Sequence, residues 1–321
     1  MIRRPPRSTL SSSSAASDVY KRQDWYSNKC ISCIVDLRSP KLHKILDTWI
    51  EEDLGDGDLT RFVLSDRSAS AHWVAKEDGT FCGGDLVKLI FRKIDPKVDI
   101  QLLIEDGQKF EKNQRLLELK GSSSSLVAGE RVSLNVAMHL SGIATSTALL
   151  VTKLSGSKVK LADTRKTTPG MRVFEKYAFH CGGGINHRLG LDDAAMLKEN
   201  HIEWSQGISE SIKILKNTIP WTKKIIVEAE TPSQAKEAVK AGADGVLLDE
   251  MSIQAIEKLV PELRQLSKNS NSKYVSQNIV IEVSGINPNN VSDYIFTGID
   301  LISTSAPITK SKWIDFSMRF D

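Results

Sequence analysis

The sequence predicts an α/β protein in which a β-rich first part is followed by a parallel α/β barrel or an open α/β sheet. Two observations predict this division. Residues 70–120 contain short apolar alternations interrupted by Gly and Asp, which is typical of strands and tight turns. From residue 157 onward, apolar strand-like runs alternate with helical segments across short connections, which is typical of a parallel sheet.

The elements of the first part follow from spacing and chain breakers. A helix is predicted from residue 41, because apolar residues recur there at helical spacing: Leu42, Ile45, Leu46 and Ile50. Segment 52–60, EDLGDGDLT, should end it as an acidic loop. Four serines at 122–125 form a soft break at the joint between two domains, and residues 126–154 then have helical periodicity without proline.

The second part begins with a strand predicted at 158–162, and a further strand is predicted at 223–230. The helix after the latter has Thr231 as its N-cap, Pro232 at its first position and Gly242 at its stop. The alternation continues through the segments DGVLLDE, a helix from about Ser252, NIVIEVSG, a helix from about Asn289, and IDLISTS.

Polar side chains follow the predicted strands. They are Glu228, Glu230, Asp249, Ser284 and residues 303–305. The carboxyl ends of barrel strands carry the active site, so these residues should converge. Strand alternation predicts that Glu250 points away from its neighbour Asp249.

Segment 163–201 is rich in cations interleaved with glycines. Its basic residues are Arg165, Lys166, Arg172, Lys176, His180, His187, Arg188, Lys198 and His201. Arg offers planar bidentate contacts to carboxylates and Lys offers a point charge. This segment therefore predicts a cationic pocket that holds a polyanion.

Composition limits the class of protein. The chain has 321 residues, 40% hydrophobic and 26% charged, with a formal net charge of +3, as expected of one large or two ordinary globular domains. The sequence has no basic tract with interleaved aromatics, so it does not predict nucleic-acid binding. It also has no apolar run approaching about 18 residues, so it does not predict a membrane span.

The cysteines and the first 23 residues bear on the compartment and on where the folded part begins. The four cysteines do not form a disulfide scaffold, and Cys30 and Cys33 make one unpaired C-x-x-C, so we expect reduced thiols and a cytoplasmic protein. Residues 1–23 resemble a translated sequencing-library adapter rather than native sequence. We expect that segment to be disordered, because it has almost nothing to bury.

Several motifs together resemble the quinolinate phosphoribosyltransferase family. They are D-T-R-K-T-T-P-G, G-G-G-x-x-H-R, L-K-E-N-H, G-E-R-V-x-L-N, S-G-I-A-T, E-D-L-G-x-G-D-L-T, V-E-A-E-T, G-V-L-L-D and I-E-V-S-G, from about residue 41 to the C-terminus. The resemblance implies an α/β sandwich (residues 24–133 with 309–321), an open α/β barrel (134–308), and a head-to-tail homodimer with shared active sites. It also implies conversion of quinolinate and phosphoribosyl pyrophosphate to nicotinate mononucleotide, pyrophosphate and carbon dioxide, with Mg²⁺, in NAD biosynthesis.

The resemblance also implies residue roles. Quinolinate carboxylates would be held by Arg165, His187, Arg188 and Lys198, with Arg131 reaching into the neighbouring subunit's site. Phosphoribosyl pyrophosphate would contact Lys166, Glu230, Asp249, Ser284, Gly285 and Ser305. Within these sets the catalytic residues would be Lys166, Glu230 and Asp249, and the metal would lie at Glu230 and Asp249. The chain departs from the family pattern in the loop STSAPITKS, which lacks a glycine near Ser305 and a histidine near Lys310, and in the single glycine after Ser284.

Three other interpretations stay open from the sequence. A sister phosphoribosyltransferase could act on nicotinate or another small ring acid. A Schiff-base lyase could use Lys166 or Lys198, because a lysine crowded by cations can have a depressed pKa. A folded chain without activity is the third.

Overall fold

A computed structural model of the chain describes residues 36–64, 67–268 and 278–321. The segment 1–23 that we expect to be disordered, and the thiols Cys30 and Cys33, lie outside the described residues. The predicted α/β class is confirmed, since the described residues form a four-stranded antiparallel sheet, a six-stranded parallel sheet and a small two-stranded sheet, with helices packed against them.

The antiparallel sheet has four strands in the order β12-β1-β5-β3. The strands of this part are β1 Ser68–Ala75, β2 Gly79–Thr80, β3 Asp99–Leu102, β4 Lys109–Phe110, β5 Arg115–Ser122 and β12 Phe316–Phe320, and β2 pairs with β4 as a separate two-stranded sheet. The last strand of the chain pairs with β1, from Ala71 opposite Phe320 to Ala75 opposite Phe316. The C-terminus therefore returns to the first sheet. The division at 133/134 stays a prediction.

The helices of the first part are α1 Pro40–Leu54, α2 Arg61–Leu64 and α3 Gly84–Ile94. The first matches the predicted helix, with Leu42 and Leu46 buried. The third was not predicted, because the region was interpreted as strands alone. Its start depends on a distant group: the Asp106 carboxylate accepts the backbone N–H groups of Gly83 (2.7 Å) and Gly84 (2.9 Å).

Helix α4, Ser123–Lys153, connects the two sheets as one continuous helix of 31 residues. The predicted break at 122–125 is instead its beginning, where the Ser122 hydroxyl accepts the N–H of Ser125 at 3.1 Å. By length and composition α4 could cross a membrane, which the sequence analysis did not anticipate. However, 56% of its most apolar window is buried inside the protein, and this packing accounts for its composition.

The parallel sheet has six strands in the order β6-β11-β10-β9-β8-β7. They are β6 Lys160–Ala162, β7 Ala195–Leu197, β8 Ile225–Ala229, β9 Gly245–Asp249, β10 Val280–Ser284 and β11 Leu301–Ser303. Every pairing in this sheet is parallel. The edge strands β6 and β7 do not pair with each other, so the barrel is open. All six carboxyl ends therefore lie at one edge.

Helices follow these strands as predicted, with one exception. They are α5 Arg172–Cys181, α6 Glu199–Glu203, α7 Ile208–Thr218, α8 Pro232–Ala241, α9 Ile253–Lys268 and α10 Ala306–Thr309. The N-cap at Thr231 and the left-handed Gly242 at the end of α8 are as predicted. The segment from about Asn289 forms a 3-10 helix, Pro288–Tyr294, instead of an α-helix.

Candidate active site

A cavity of about 610 Å³ lies at the carboxyl ends of the six parallel strands. Each strand supplies lining residues near its end, including Thr164 after β6, Lys198 after β7, Glu228 on β8, Asp249 on β9 and Ser303 on β11. The strand-end convergence inferred from the sequence is therefore present for all the named residues except Glu230.

Most of the predicted site residues line this cavity. They are Arg165, Lys166, His187, Arg188, Lys198, Asp249, Ser284, Gly285 and Ser305. Two are not among its lining, Arg131 and Glu230. The structure adds lining residues that were not placed in the site, namely Asp163, Glu250 and Glu282, and it also places Glu228 in the lining.

A buried ion pair anchors one side of the cavity. The Lys176 ammonium donates to Asp163 Oδ1, and both side chains are fully buried. The same carboxylate accepts Asn186 Nδ2 at 2.6 Å and the backbone N–H of His187 at 2.8 Å, while Lys176 also donates to the His187 carbonyl at 2.9 Å. Lys176 is thus not a ligand-facing cation of the pocket. It holds the loop that presents His187 and Arg188.

Burial disfavours the charged form of both residues in this ion pair. Burial raises the pKa of Asp163, although its hydrogen bonds from Lys176, Asn186 and His187 act in the opposite direction. Burial likewise lowers the pKa of Lys176, against the hydrogen bond and charge of Asp163. The pair therefore depends on complete hydrogen bonding, because an unpaired charge at this depth would be costly.

The ring of His187 is fixed at both nitrogens. Its Nδ1 accepts the backbone N–H of Arg188 at 2.7 Å, and its Nε2 faces Glu282 Oε2 at 3.2 Å. Since a backbone N–H can only donate, Nδ1 must be the acceptor and Nε2 the donor. His187 therefore lies in the cavity, but a substrate carboxylate would have to compete with Glu282 for its proton.

Glu282 is the buried acceptor that the sequence analysis missed. It is 3% exposed, and its Oε1 has no hydrogen-bond partner among the described residues. It lies on the strand face that points into the barrel, 95 residues from His187 in sequence. Only the alternation of IEVSG could have indicated its direction.

Replacement of Glu282 should separate a positioning role from a charge effect. In Glu282→Ala the Nε2–H of His187 loses its acceptor, and we expect the KM for an anionic substrate to rise about 10-fold, about 1–2 kcal/mol. Glu282→Gln keeps an acceptor oxygen, so its KM should stay within about 3-fold of the parent. Steady-state kinetics on both variants test this. An equal rise in KM for Glu282→Gln and Glu282→Ala would show that the charge of Glu282, and not the position of the His187 ring, determines the KM.

Two guanidinium groups lie next to each other on the cationic side. Arg188 donates through Nη1 to the Ala194 carbonyl at 2.8 Å, and its pKa is lowered by burial and by the adjacent charge of Arg165. The Nη1 of Arg165 is buried and has no hydrogen-bond partner within the described ranges. Two crowded cations, one with an unsatisfied donor, form a site for an anion.

The third cation has an acidic partner. The ammonium of Lys198 contacts Glu228 Oε2, with Lys198 44% exposed and Glu228 15% exposed. Its backbone N–H donates to His201 Nδ1 at 3.2 Å, so His201 supports the turn and does not enter the cavity. Lys166, by contrast, lines the cavity and is exposed.

The opposite side of the cavity is acidic. The Ser284 hydroxyl donates to Asp249 Oδ1, which ties the ends of β9 and β10 together. Gly285 follows with φ +73°, a conformation that favours glycine, and a Cβ there would lie 3.1 Å from Glu250 Cγ, which would have to shift slightly. The prediction that Glu250 points away from its neighbour Asp249 is wrong, since both residues line the cavity. Glu250 has φ +51° and lines the cavity, because the strand has ended and alternation no longer applies.

Glu230 lies beyond the end of β8, exposed to solvent rather than among the cavity lining. A hydrogen bond with Glu199 and the charges of Glu199, Asp249 and Glu228 raise the pKa of its carboxyl. Like charges raise a carboxyl pKa when they are near, and two of these neighbours, Asp249 and Glu228, line the cavity.

Two glycines and one arginine of segment 163–201 have structural roles outside the cavity. Cβ atoms at Gly182 and Gly184 would meet Ala144 O at 2.4 Å and Phe179 Cε1 at 2.2 Å, so these glycines allow the chain to pack against its own helices. Arg172 joins two loops, donating to Thr167 Oγ1 (3.1 Å) and to the Leu189 carbonyl (3.2 Å).

The loop after β6 is held by a buried acid. Glu175 accepts the backbone N–H of Thr168 at 2.8 Å and faces His139 Nε2 at 3.0 Å. Burial raises the pKa of Glu175, but these hydrogen bonds outweigh it and the net shift is downward. The ionised carboxylate thus fixes the backbone that carries Arg165 and Lys166.

Comparison with known proteins gives consistent matches across the chain. A family model described as "Quinolinate phosphoribosyl transferase, N-terminal domain" matches residues 58–141, and the corresponding C-terminal domain model matches residues 143–319. A protein of Synechocystis sp. called a probable nicotinate-nucleotide pyrophosphorylase [carboxylating] is 39% identical over 276 residues, 85% of this chain and 90% of the relative. A Bacillus subtilis protein of the same description is 37% identical over 280 residues, 87% of this chain and 93% of the relative.

A solved structure agrees in fold as well. The nicotinate-nucleotide pyrophosphorylase of Francisella tularensis has a TM-score of 0.79 and 34% identity. The match covers 88% of this chain and 98% of that chain.

Proposed function

Because the chain belongs to the quinolinate phosphoribosyl transferase family, we propose that it transfers the phosphoribosyl group of phosphoribosyl pyrophosphate to quinolinate. The products would be nicotinate mononucleotide, pyrophosphate and carbon dioxide, in NAD biosynthesis. The support is the family match over residues 58–141 and 143–319 and a cavity with cations on one side and carboxylates on the other.

The observation that carries the proposal is the unpartnered Nη1 of Arg165 beside Arg188. Quinolinate is a dianion with two adjacent carboxylates, so it needs more than one cation close together. The buried donor of Arg165, the guanidinium of Arg188 and the ammonium of Lys198 meet that need. Arg forks bind carboxylates in a fixed plane, which would hold the ring in one orientation.

Chemistry would then follow from charge and position. The ring nitrogen must approach the anomeric carbon of a second anion, and the cations offset the repulsion between the two substrates. Lys166, exposed at the cavity, is our candidate for the contact between quinolinate and pyrophosphate. As pyrophosphate leaves, positive charge develops on the ribose, and Asp249 and Glu230 would stabilise it. The cationic ring nitrogen of the product can then accept the electrons released as the adjacent carboxylate leaves.

Magnesium fits the acidic side of this site. Mg²⁺ prefers oxygen ligands and is usually held by one or two carboxylates with substrate phosphates. The raised pKa of Glu230, caused by Glu199 and then by Asp249 and Glu228, fits carboxylates gathered where a cation would lie. We propose that Asp249 and Glu230 hold the metal, which when bound would draw charge from the pyrophosphate leaving group. Ser284, Gly285 and Ser305 are the proposed phosphate contacts.

The decisive assay measures carbon dioxide released from quinolinate that is labelled in the carboxyl group adjacent to the ring nitrogen, with phosphoribosyl pyrophosphate and Mg²⁺. We expect release that depends on both substrates and stops when EDTA is added. Nicotinate is the matched control, since it lacks the second carboxylate, and it should give little mononucleotide. Turnover of nicotinate without release from quinolinate would show that the chain is the sister transferase instead.

We further propose a cytoplasmic homodimer with shared sites. The two described cysteines, Cys82 and Cys181, are free thiols, which supports a reducing compartment. Arg131 lies exposed on α4 and does not line its own subunit's cavity, which supports a role at the partner's site.

A complementation experiment tests the shared site. Arg131→Ala and Lys198→Ala should each lose most activity, because each removes a cation from the quinolinate site. Mixing equal amounts of the two variants and allowing subunit exchange should restore roughly a quarter of parental activity. About half of the dimers are then hybrids, and each hybrid has one intact site of two. Mixing each variant with itself is the control. Absence of recovery in a mixture shown by native mass spectrometry to contain hybrids would refute sharing.

A further inference from the structure

Two cysteines and an aspartate meet away from the cavity, where the two sheets join. Cys82 lies between β2 and α3 on the antiparallel side, Asp106 follows β3, and Cys181 ends α5 on the parallel side. One ligand atom of each, two sulfurs and a carboxylate oxygen, lie within 4.8 Å of one another. None of the three lines the cavity.

The three ligand atoms are close enough to share one ion, because all lie within 4.8 Å of one another. Around a tetrahedral zinc ion, with Zn–S about 2.3 Å, two sulfurs lie about 3.8 Å apart. A disulfide instead needs about 2.05 Å between sulfurs, whereas both thiols here are free. We propose that Cys82, Cys181 and Asp106 form a binding site for a thiophilic divalent cation such as Zn²⁺.

The carboxylate is already oriented for this role. Asp106 Oδ2 accepts the Tyr177 hydroxyl at 2.5 Å and the N–H of Gly83 at 2.7 Å, while Oδ1 accepts the N–H of Gly84 at 2.9 Å. The Cys82 thiol is also a hydrogen-bond donor to this carboxylate, and loss of that proton on binding would leave a carboxylate lone pair for the ion. Donors that fix a ligating carboxylate in this way are typical of metal sites.

The cluster also lacks positive charge. Within residues 36–64, 67–268 and 278–321, the groups that donate to Asp106 are neutral, and no lysine, arginine or histidine forms an ion pair with it. Burial raises the pKa of Asp106, and burial with the nearby Cys181 and Asp106 raises the pKa of Cys82. A bound cation would supply the missing charge. On binding, each thiol would lose its proton to solvent as an S–metal bond forms, with no change in oxidation state.

The proposed ion would join the two sheets. Cys181 directly precedes the glycine run that leads to His187 and Arg188, and it is only partly buried, which leaves a path for the ion. Binding to the folded state alone raises thermal stability. We therefore expect metal to raise the melting temperature without being needed for catalysis.

The test uses the full chain with Cys30→Ser and Cys33→Ser, which leaves Cys82 and Cys181 as its cysteines. Under anaerobic conditions, Cd²⁺ titration should give a thiolate-to-metal absorption band that saturates at one ion per chain. Equilibrium dialysis should give the same stoichiometry for Zn²⁺, with a rise in melting temperature. The band identifies sulfur ligands and so excludes binding at the active-site carboxylates.

Matched variants locate the ion. Adding Cys181→Ser should abolish the band and the rise in melting temperature, while carbon dioxide release stays unchanged. Cys82→Ala should do the same and serves if Cys181→Ser does not fold. Asp106→Asn should weaken Cd²⁺ binding at least about 10-fold, whereas the exposed neighbour variant Glu105→Gln should not.

Each contrary result overturns the proposal. No band at saturating Cd²⁺, or a band that persists in Cys181→Ser, would show that this cluster does not bind the ion. Thiol titration that finds Cys82 and Cys181 oxidised to each other in the purified protein would identify the pair as a disulfide instead.

Discussion

Replacing Arg165 with alanine is expected to lower kcat/KM for quinolinate about 10²- to 10³-fold, equivalent to about 3–4 kcal/mol. The substitution removes a buried donor whose Nη1 has no protein partner among the described residues. A carboxylate held there would lose a charge-assisted hydrogen bond in a water-poor site, where such bonds are strong. Initial rates of carbon dioxide release measure the effect.

A stability measurement distinguishes this binding role from a structural one. Without substrate, the charge of Arg165 contributes to the lowered pKa of Arg188 after burial, so the two guanidiniums repel each other. Arg165→Ala should therefore leave the melting temperature unchanged or raise it. Arg165→Lys keeps the charge but loses the fork, and it should recover only part of the rate. A large fall in melting temperature for Arg165→Ala would contradict this interpretation.

Residues at strand ends could be predicted because their signals are local. Asp249 and Ser284 follow apolar strands directly, and parallel strands bring their carboxyl ends together whatever the packing between them. Thr231 and Gly242 carry the start and stop of α8 within twelve residues of sequence. For these residues the pattern alone determined the position.

The supporting contacts could not be predicted, because their partners are distant in the chain. Glu282 acts on His187 from 95 residues away, and α3 begins where Asp106, more than twenty residues later, accepts its first N–H groups. Lys176 was grouped with the pocket cations because its neighbours in sequence are basic. Only packing shows that it points to Asp163, since a charge pattern does not record which way a helix faces.

Lys176→Met is expected to be the most destabilising change in the site region. It leaves the fully buried Asp163 without its cation, and removal of one partner of a buried pair costs about 3–5 kcal/mol of unfolding free energy. For a chain of this size that loss corresponds to roughly 10 °C in melting temperature. Denaturant unfolding and calorimetry measure it.

A double-mutant cycle measures the interaction between Lys176 and Asp163. Asp163→Asn alone should also lower the unfolding free energy, because it leaves the Lys176 ammonium buried without its partner. The double variant Asp163→Asn with Lys176→Met should lose less unfolding free energy than the sum of the two single variants. The matched control is Lys224→Met, which removes the cation of the Lys224–Asp244 pair (2.7 Å), whose lysine is 69% exposed. That change should cost no more than about 1 kcal/mol. If Lys176→Met were as mild as the control, Asp163 would have to be protonated in the folded protein. Its carboxylate would then not be the charged anchor of the loop that carries His187 and Arg188.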